Sequence, residues 1–245
     1  ERLCPALKAD VTVQSYVRTR RAAEDRSALL AKANELRKAL DTRYQRYCDA
    51  TSADVVPRCR TYGKSDYLFA VNDQREFGDY VGQHGLVMEN GLPTAATLSL
   101  NRPGGHVYDL VAGREVAAEV CDGKLHVKRA FGPCEGCVLM VTGQPIGGVK
   151  IEAPAVAKCG EAAACDISVV DGAGQPILAV VPVKVEIRDP AGCVAEWSGF
   201  YGAKDGRLTV RLEIASNDRA GLWEIQVREL ASGRTATAYL RVSRL

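Results

Sequence analysis

Val183-Lys-Val-Glu-Ile-Arg188 and Leu208-Thr-Val-Arg-Leu-Glu-Ile214 are the two stretches that decide the fold. In both of them apolar and polar residues alternate without a break, so that every second side chain points to the same side. One face of such a strand lies on a core and the other faces water. The two stretches therefore predict half-buried antiparallel strands.

Short apolar runs separated by turn sequences continue over most of the chain. The turns include Asp122-Gly123 and Asp205-Gly206, which favour hairpins. The first of the two alternating strands is predicted over residues 181–188, and the other predicted strands are residues 54–60, 67–72, 96–101, 106–111, 115–120, 125–131, 138–142, 167–170, 195–201, 222–230 and 235–242. Strands at this spacing are typical of sandwiches and barrels. We predict a mainly β protein of two β-sandwich modules with an N-terminal amphipathic α-helix.

The predicted helix covers residues 25–48 and follows a possible strand at residues 10–17. Apolar residues recur at steps of three and four on one side of it: Leu29, Ala33, Leu36, Leu40, Tyr44 and Tyr47. This stripe fits a coiled-coil or partner-docking seam, or a helix that packs on its own domain. We favour packing on its own domain, because short isolated helices are only marginally stable.

A chain of 245 residues has the length of two domains. The sequence 143–148, rich in glycine, resembles a connection between them. We predict a strand-helix-strand segment at 1–62 that packs on the first module, a first β-sandwich at 63–149, and an immunoglobulin-like β-sandwich at 150–245.

Composition and charge exclude several classes of function. The chain is 47% apolar and 25% charged, as expected of a folded globular protein, and its formal charge of +2 gives no strong attraction to phosphate. Nucleic acid is therefore not an expected partner. No apolar run reaches the 18 or so residues of a membrane-spanning helix. The chain begins at Glu1 without an initiator methionine, which we expect of a mature secreted protein or of a fragment of a longer one.

Nine cysteines indicate an oxidising compartment, so we predict an extracellular or cell-surface protein. The candidates for disulfides that close short loops are Cys48 with Cys59, Cys134 with Cys137, and Cys159 with Cys165. The odd count leaves one thiol buried or paired with another chain, and Cys4 is our candidate for an interchain bond. Cys134-Glu-Gly-Cys137 has a thiol–disulfide redox centre as its alternative, but such centres lie at a helix N-terminus and a strand-like sequence follows here.

No other motif predicts chemistry, a metal site or a cofactor. The three histidines fall in separate predicted elements and no nucleophile motif accompanies them. A glycine-rich loop at 78–85 is the place to look for a ligand, since Phe77, Tyr80 and His84 lie in or beside it and aromatic rings stack on sugars. The carboxylates of Glu76 and Asp79 in the same region are expected to be solvated charges.

Two parts of the sequence resemble known extracellular domains. Residues 65–149, with Tyr67-Leu-Phe-Ala-Val-Asn72, Ala96-Thr-Leu-Ser-Leu100, the stretch 107–116 and Val138-Leu-Met-Val-Thr142, resemble the β-sandwich that follows the catalytic barrel in large secreted bacterial glycosidase-like proteins. Residues 159–242, with Asp189-Pro-Ala-Gly192, Trp197 and Gly221-Leu-Trp-Glu-Ile225, resemble a macroglobulin-type or immunoglobulin-like domain. The resemblance implies non-catalytic extracellular modules.

We therefore predict a non-catalytic structural or assembly protein of the cell exterior. Its expected partners are further copies of itself, as an oligomer or fibre, or other envelope proteins. The alternatives are a carbohydrate-binding accessory module of a polysaccharide-degrading enzyme, with a glycan as ligand, and a redox protein that uses Cys134 and Cys137.

Overall fold

The computed structural model describes residues 26–81 and 87–244, and the side chains of residues 26–28, 77–81 and 87–89 are left out of the description. Strands dominate these residues, with a single helix near their N-terminal end. The predicted fold class, mainly β with several sheets and a helix in the N-terminal region, is confirmed.

The elements follow one another without long irregular connections. They are α1 (Arg26–Asp41), β1 (Cys48–Ala50), β2 (Val55–Tyr62), β3 (Ser65–Asn72), β4 (Arg75–Val81), β5 (Val87–Gly91), β6 (Thr94–Leu100), β7 (His106–Asp109), β8 (Arg114–Val116), β9 (Glu119–Cys121), β10 (Lys124–Phe131), β11 (Gly136–Thr142), β12 (Gly148–Glu152), β13 (Val156–Lys158), β14 (Ala162–Val170), β15 (Val181–Arg188), β16 (Gly199–Ala203), β17 (Arg207–Glu213), β18 (Gly221–Glu229) and β19 (Thr235–Ser243).

The strands form five sheets. In spatial order these are β1-β6-β10-β9, β2-β3-β11-β7-β8, β12-β14-β17, β13-β19-β18-β15-β16 and the hairpin β4-β5. Strand β13 runs parallel to β19, whereas the pairs β1–β6, β4–β5, β7–β8, β7–β11, β12–β14, β14–β17, β15–β16, β15–β18 and β18–β19 are antiparallel. Both predicted Asp-Gly turns are present, and Asp122 and Asp205 each take a positive φ of 51° that turns of this kind require.

The chain divides into two compact units. The first draws on the described parts of Glu1–Arg58, Ala70–Asn101 and His126–Gly136, and the second on Cys59–Phe69, Arg102–Leu125 and the described part of Cys137–Leu245. The predicted modules at 1–62, 63–149 and 150–245 have other limits and stay a prediction.

The core of the second unit is built as the alternating sequences predict. In β15 every second residue is buried, and Val183, Val185 and Ile187 expose none of their surface. Val185 faces Val227 and Ile187 faces Ile225 across the neighbouring strand β18. Strand β14 of the other sheet adds Cys165, Ile167 and Val169, while β17 adds Val210 and Leu212 to the same cluster. Burial of this much apolar surface is the main source of stability in such a sandwich.

Two buried aromatic side chains in this core, Trp223 and Tyr108, have their polar atoms hydrogen-bonded to the backbone. Trp223 is 3% exposed, and its indole N–H donates to the Arg219 carbonyl over 2.9 Å. Its ring lies 6.0 Å from that of Trp197, in a tilted arrangement. Tyr108 is also buried, and its hydroxyl accepts the backbone N–H of Ile146 at 2.8 Å. A buried polar atom needs such a partner, because an unpaired one retains the cost of leaving water.

The first unit holds the helix and the smaller core. Its buried residues are Ala50, Val55, Ala70, Ala96, Leu98, Leu100, Val127 and Phe131. The predicted helix over 25–48 is too long at its C-terminal end, since α1 stops at Asp41. At the end of the helix, the Thr42 hydroxyl donates a hydrogen bond to the Ala39 carbonyl. The Tyr47 carbonyl then accepts the N–H of Asn101, and strand β1 begins at the next residue.

Two further predictions are corrected. The glycine-rich loop at 78–85 is a strand up to Val81, because β4 pairs with β5 through an irregularity between Phe77 and Val81. The single strand at 115–120 is two strands, β8 and β9, which belong to different sheets.

Replacing Tyr108 by phenylalanine tests the buried hydroxyl. Tyr108→Phe keeps the ring but leaves the Ile146 N–H without its acceptor, so we expect a loss of about 1–3 kcal/mol in the free energy of unfolding. Urea denaturation measures it. Tyr239→Phe, at a tyrosine that is 56% exposed, is the control and should change stability by less than about 0.5 kcal/mol. Equal effects of the two changes would contradict this account.

Candidate functional site

Helix α1 exposes most of its described side chains, and these include several leucines. Four of its residues form a stripe with the heptad spacing of 4, 3 and 4 residues, and we call this stripe the leucine seam: Leu29, Ala33, Leu36 and Leu40. Leu29, Leu36 and Leu40 are 49%, 62% and 52% exposed. In the described residues the stripe does not show the predicted packing on its own domain, because Leu29, Leu36 and Leu40 are exposed.

The helix meets its own unit through charged side chains instead. Arg37 donates a short hydrogen bond to the carboxylate of Asp49 in β1. Arg46 reaches the same carboxylate at 3.3 Å and that of Asp41, the last helical residue, at 2.7 Å. The Ala50 N–H donates to the other Asp49 oxygen at 2.9 Å. Asp49 thus ties the helix, the following turn and the first strand together.

The electrostatics of Asp49 match this structural role. Partial burial raises the pKa of its carboxyl, but the hydrogen bonds from Arg37 and the Ala50 N–H and the positive charges of Arg37 and Arg46 outweigh it. The net effect holds the pKa of Asp49 below its ordinary value. The carboxylate therefore stays ionised at neutral pH and is already occupied by two arginines.

A polar groove of about 440 Å³ lies between the helix and the outer face of the sheet. Its lining is Asn34, Arg37, Asp49, Ala50, Thr51, Ala53, Thr97, Ser99 and His126. The sheet side of this groove is polar because β6 alternates: Ala96, Leu98 and Leu100 are buried, and Thr97 and Ser99 point outward.

The groove contains a serine, a histidine and an aspartate, but not in a catalytic arrangement. Asp49 lies directly opposite Ser99 in the β1–β6 pairing. Its carboxylate, however, is held by Arg37 and Arg46, so it does not serve to orient the ring of His126 as a triad aspartate does.

The cysteines do not brace the sheets as predicted. No disulfide joins the eight cysteines in residues 26–81 and 87–244. Cys48 lies in β1 and Cys59 in β2, which belong to different sheets. Cys165 faces the core from β14 opposite Val210, while Cys159 contacts the Asp218 carbonyl at 3.5 Å. Cys4 lies outside the described residues.

The redox alternative finds no support in the surroundings of Cys134 and Cys137. Cys134 is exposed, takes a positive φ of 55° and lies in the turn before β11. Cys137 is buried inside that strand, so the two side chains occupy different environments and no disulfide joins them. A strand follows the pair, where a redox motif needs a helix N-terminus.

The predicted ligand loop is only partly described. Phe77 and Tyr80 lie in strand β4, and their side chains are outside the description. His84 lies outside the described residues. The glycan-binding alternative, which depends on these three residues, stays a prediction.

Sequence reasoning missed the groove and the anchoring of the helix. Asp49 lies in a strand of three residues with no alternation to mark it. The signal that was available is the run Thr94–Leu100, in which small polar residues alternate with apolar ones. It predicts that the outer side of β6 is polar and therefore offers no apolar surface to a helix.

The described parts of the chain contain neither a metal-binding group of side chains nor a membrane-spanning helix. No group of three or more histidine, cysteine, aspartate or glutamate side chains is placed to hold a metal ion there. Among the same residues no helix has the length and apolar character needed to cross a bilayer.

No known protein family matches the sequence, and no curated protein matches it either. Among solved structures it is similar to a superoxide reductase (neelaredoxin) from Ignicoccus hospitalis, with 15% identity and a TM-score of 0.31 over 40% of this chain and 82% of that one. It is also similar to the Yersinia pseudotuberculosis adhesin InvE (11% identity, TM-score 0.33, 80% of this chain and 60% of that one). A third is E. coli alpha-2-macroglobulin (9% identity, TM-score 0.30, 74% and 19%).

The chain spans less than two thirds of the adhesin and of the macroglobulin. TM-scores of 0.30 to 0.33 at 9–15% identity show neither a common fold nor a common function.

Chemical labelling tests where the thiols lie. Burial raises the pKa of Cys165 to about 11, with the charge of Asp166 adding to the effect, so this thiol stays protonated at neutral pH. We expect iodoacetamide to modify Cys121, Cys134 and Cys193, which are exposed, in the native protein, and to modify Cys159 and Cys165 only after denaturation. Peptide mass mapping reads out the pattern. Rapid native labelling of Cys165 would be incompatible with this core.

Removing the charge of Asp49 tests the anchoring of the helix. Asp49→Asn should accelerate amide hydrogen exchange within α1 several-fold, while the global free energy of unfolding changes by less than about 1 kcal/mol, since the ion pairs are partly solvated. Glu35→Gln, which removes only the exposed Lys32–Glu35 pair, is the control.

The same anchor predicts a pH dependence. Because the pKa of Asp49 is lower in the folded state than the unfolded value near 3.9, its contribution is complete above that value and is lost as pH falls through the folded pKa. Helix exchange that is insensitive to both Asp49→Asn and acid would show that other contacts hold α1.

Proposed function

We propose that the protein is a non-catalytic interaction module in which β-sandwich units present helix α1 to another protein. The observation that carries this proposal is the exposure of the leucine seam on a helix that is held by its polar side. Leucine side chains cost free energy in water, and a contiguous apolar stripe on a surface is typical of a site where another molecule binds.

Three more large apolar side chains close to the seam in sequence are exposed. Leu30 is 38% exposed, and Tyr44 and Tyr47, just after the helix, are 65% and 38% exposed. Exposed leucine side chains at helical steps are typical anchors of recognition between helices.

The chemistry of the described residues supports a non-catalytic role. Asp49 is occupied by arginines, and Cys165 has a raised pKa where a nucleophile needs a lowered one. His106 contacts Glu115 at the surface, at 2.8 Å. Asp49 and Cys165 therefore lack the environments of a catalytic base and of a nucleophile.

A location outside the cytoplasm belongs to the same proposal and rests only on the number of cysteines in the sequence, since no disulfide joins those in residues 26–81 and 87–244. The thiol state of protein freshly isolated from its source tests it: oxidised cysteines support the location, and nine reduced thiols contradict it.

The interaction role is tested in the cells that make the protein. We expect the wild type to run in native size-exclusion chromatography as part of a larger assembly, and the double variant Leu36→Glu, Leu40→Glu to run at the size of the single chain, because two carboxylates in the seam oppose burial. Lys38→Glu changes an exposed residue on the far side of the helix and should leave the assembly intact. An assembly that survives the double variant would refute the proposal.

A further inference from the structure

The helix and its flanks carry positive charge that the rest of the chain does not share. Residues 26–47 contain six basic and two acidic residues, whereas the whole chain has 32 basic and 30 acidic ones. The remaining sequence is therefore slightly acidic, and the basic character of the protein is concentrated in the helix and the residues that follow it. Such a distribution attracts an acidic partner and opposes a second basic helix.

The geometry of the seam limits what fits on it. Leu29 and Leu36 are one heptad apart, as are Ala33 and Leu40, so the apolar stripe has the narrow two-in-seven pattern of a helix-pairing seam. Lys32 precedes Ala33 and Arg37 follows Leu36, which places these cations at the two positions that border such a seam. A partner helix meets the seam with its own apolar stripe and meets these borders with its flanking charges.

We infer that the leucine seam binds an amphipathic helix of another protein whose apolar stripe is bordered by glutamate or aspartate. This inference rests on the proposed function and names the chemistry of the partner. Self-pairing is less favourable, because two copies of the helix bring together two segments of net positive charge. A parallel pair also sets Lys32 of one copy against Arg37 of the other and stacks Ala33 on Ala33, which leaves that layer poorly filled.

The orientation of the helix in its own unit leaves this seam accessible. Asn34 and Arg37 line the groove on the sheet side, and Arg37 is half-buried there. Leu36 and Leu40 are more than half exposed, so a second helix reaches the seam without displacing the contacts of Asp49. The charge of Arg37 is shared with Asp49 and that of Lys32 with Glu35, which makes Lys32, in a fully solvent-facing pair, the border residue that tests the inference best.

The experiment uses the purified full chain and a synthetic peptide of a few heptads with leucine at the seam positions and glutamate at the bordering positions. Glutamate repulsion keeps such a peptide from pairing with itself. We expect saturable binding in calorimetry that weakens as salt rises, since the charges are exposed. A peptide of the same length with lysine at the bordering positions is the matched control and should not bind.

Two variants locate the binding on the seam. Leu36→Glu should weaken binding of the glutamate peptide by at least about thirtyfold, as the loss of a central anchor does. Lys32→Glu should weaken it about two- to fivefold. Lys38→Glu makes the same change in net charge on the opposite side of the helix and should have the smaller effect.

The outcomes separate this inference from the proposed function. No binding of the glutamate peptide, equal binding of both peptides, or tighter binding at high salt would overturn the acidic-helix partner. Sedimentation that shows seam-dependent self-association of the chain alone would also overturn it, in favour of a second copy. If the cellular assembly still depends on the seam in either case, the proposed function stands and only the partner chemistry is wrong.

Discussion

The polar outer face of β6 determines how helix α1 can contact the first unit. Period-two alternation buries Ala96, Leu98 and Leu100, so Thr97 and Ser99 face outward and the sheet offers a helix no apolar surface there. A helix that lies on this face must meet it with polar side chains. Arg37 does so through Asp49, and this contact fixes the rotation of α1 about its own axis. The apolar stripe then points away from the sheet.

How well the sheets were predicted depends on how different their two faces are. The stretch 181–188 alternates without interruption, and strand β15 has the predicted limits, Val181–Arg188. Strands β1 and β13 have three residues each, too few for any alternation to show. The interrupted stretch 115–120 has Ala117 and Ala118 at its centre, and the chain leaves one sheet and enters another there.

The period of a helix predicts which of its residues share a face, but not what that face contacts. A helical period reveals which residues share a face, and the stripe from Leu29 to Leu40 was recognised for that reason. It does not reveal what that face meets, because this depends on a strand pairing between residues 48–50 and 98–100. For this reason the predicted packing of the stripe on its own domain is not seen in the described residues. The predicted cysteine pairs are not bonded in the described residues either, since closeness in sequence does not by itself bring two thiols into bonding geometry.

The sulfur atoms have the role of small apolar groups in this fold. Cys165 exposes none of its surface and lies among Ile167, Val169, Val210 and Leu212, where a thiol packs as an alkyl group of similar size does. A core that buries residues from both sheets so completely supplies its stability through apolar burial, and a covalent brace between the described strands is not required for it. The case for an interaction module depends on the leucine seam, and a fully reduced protein would leave that case unchanged.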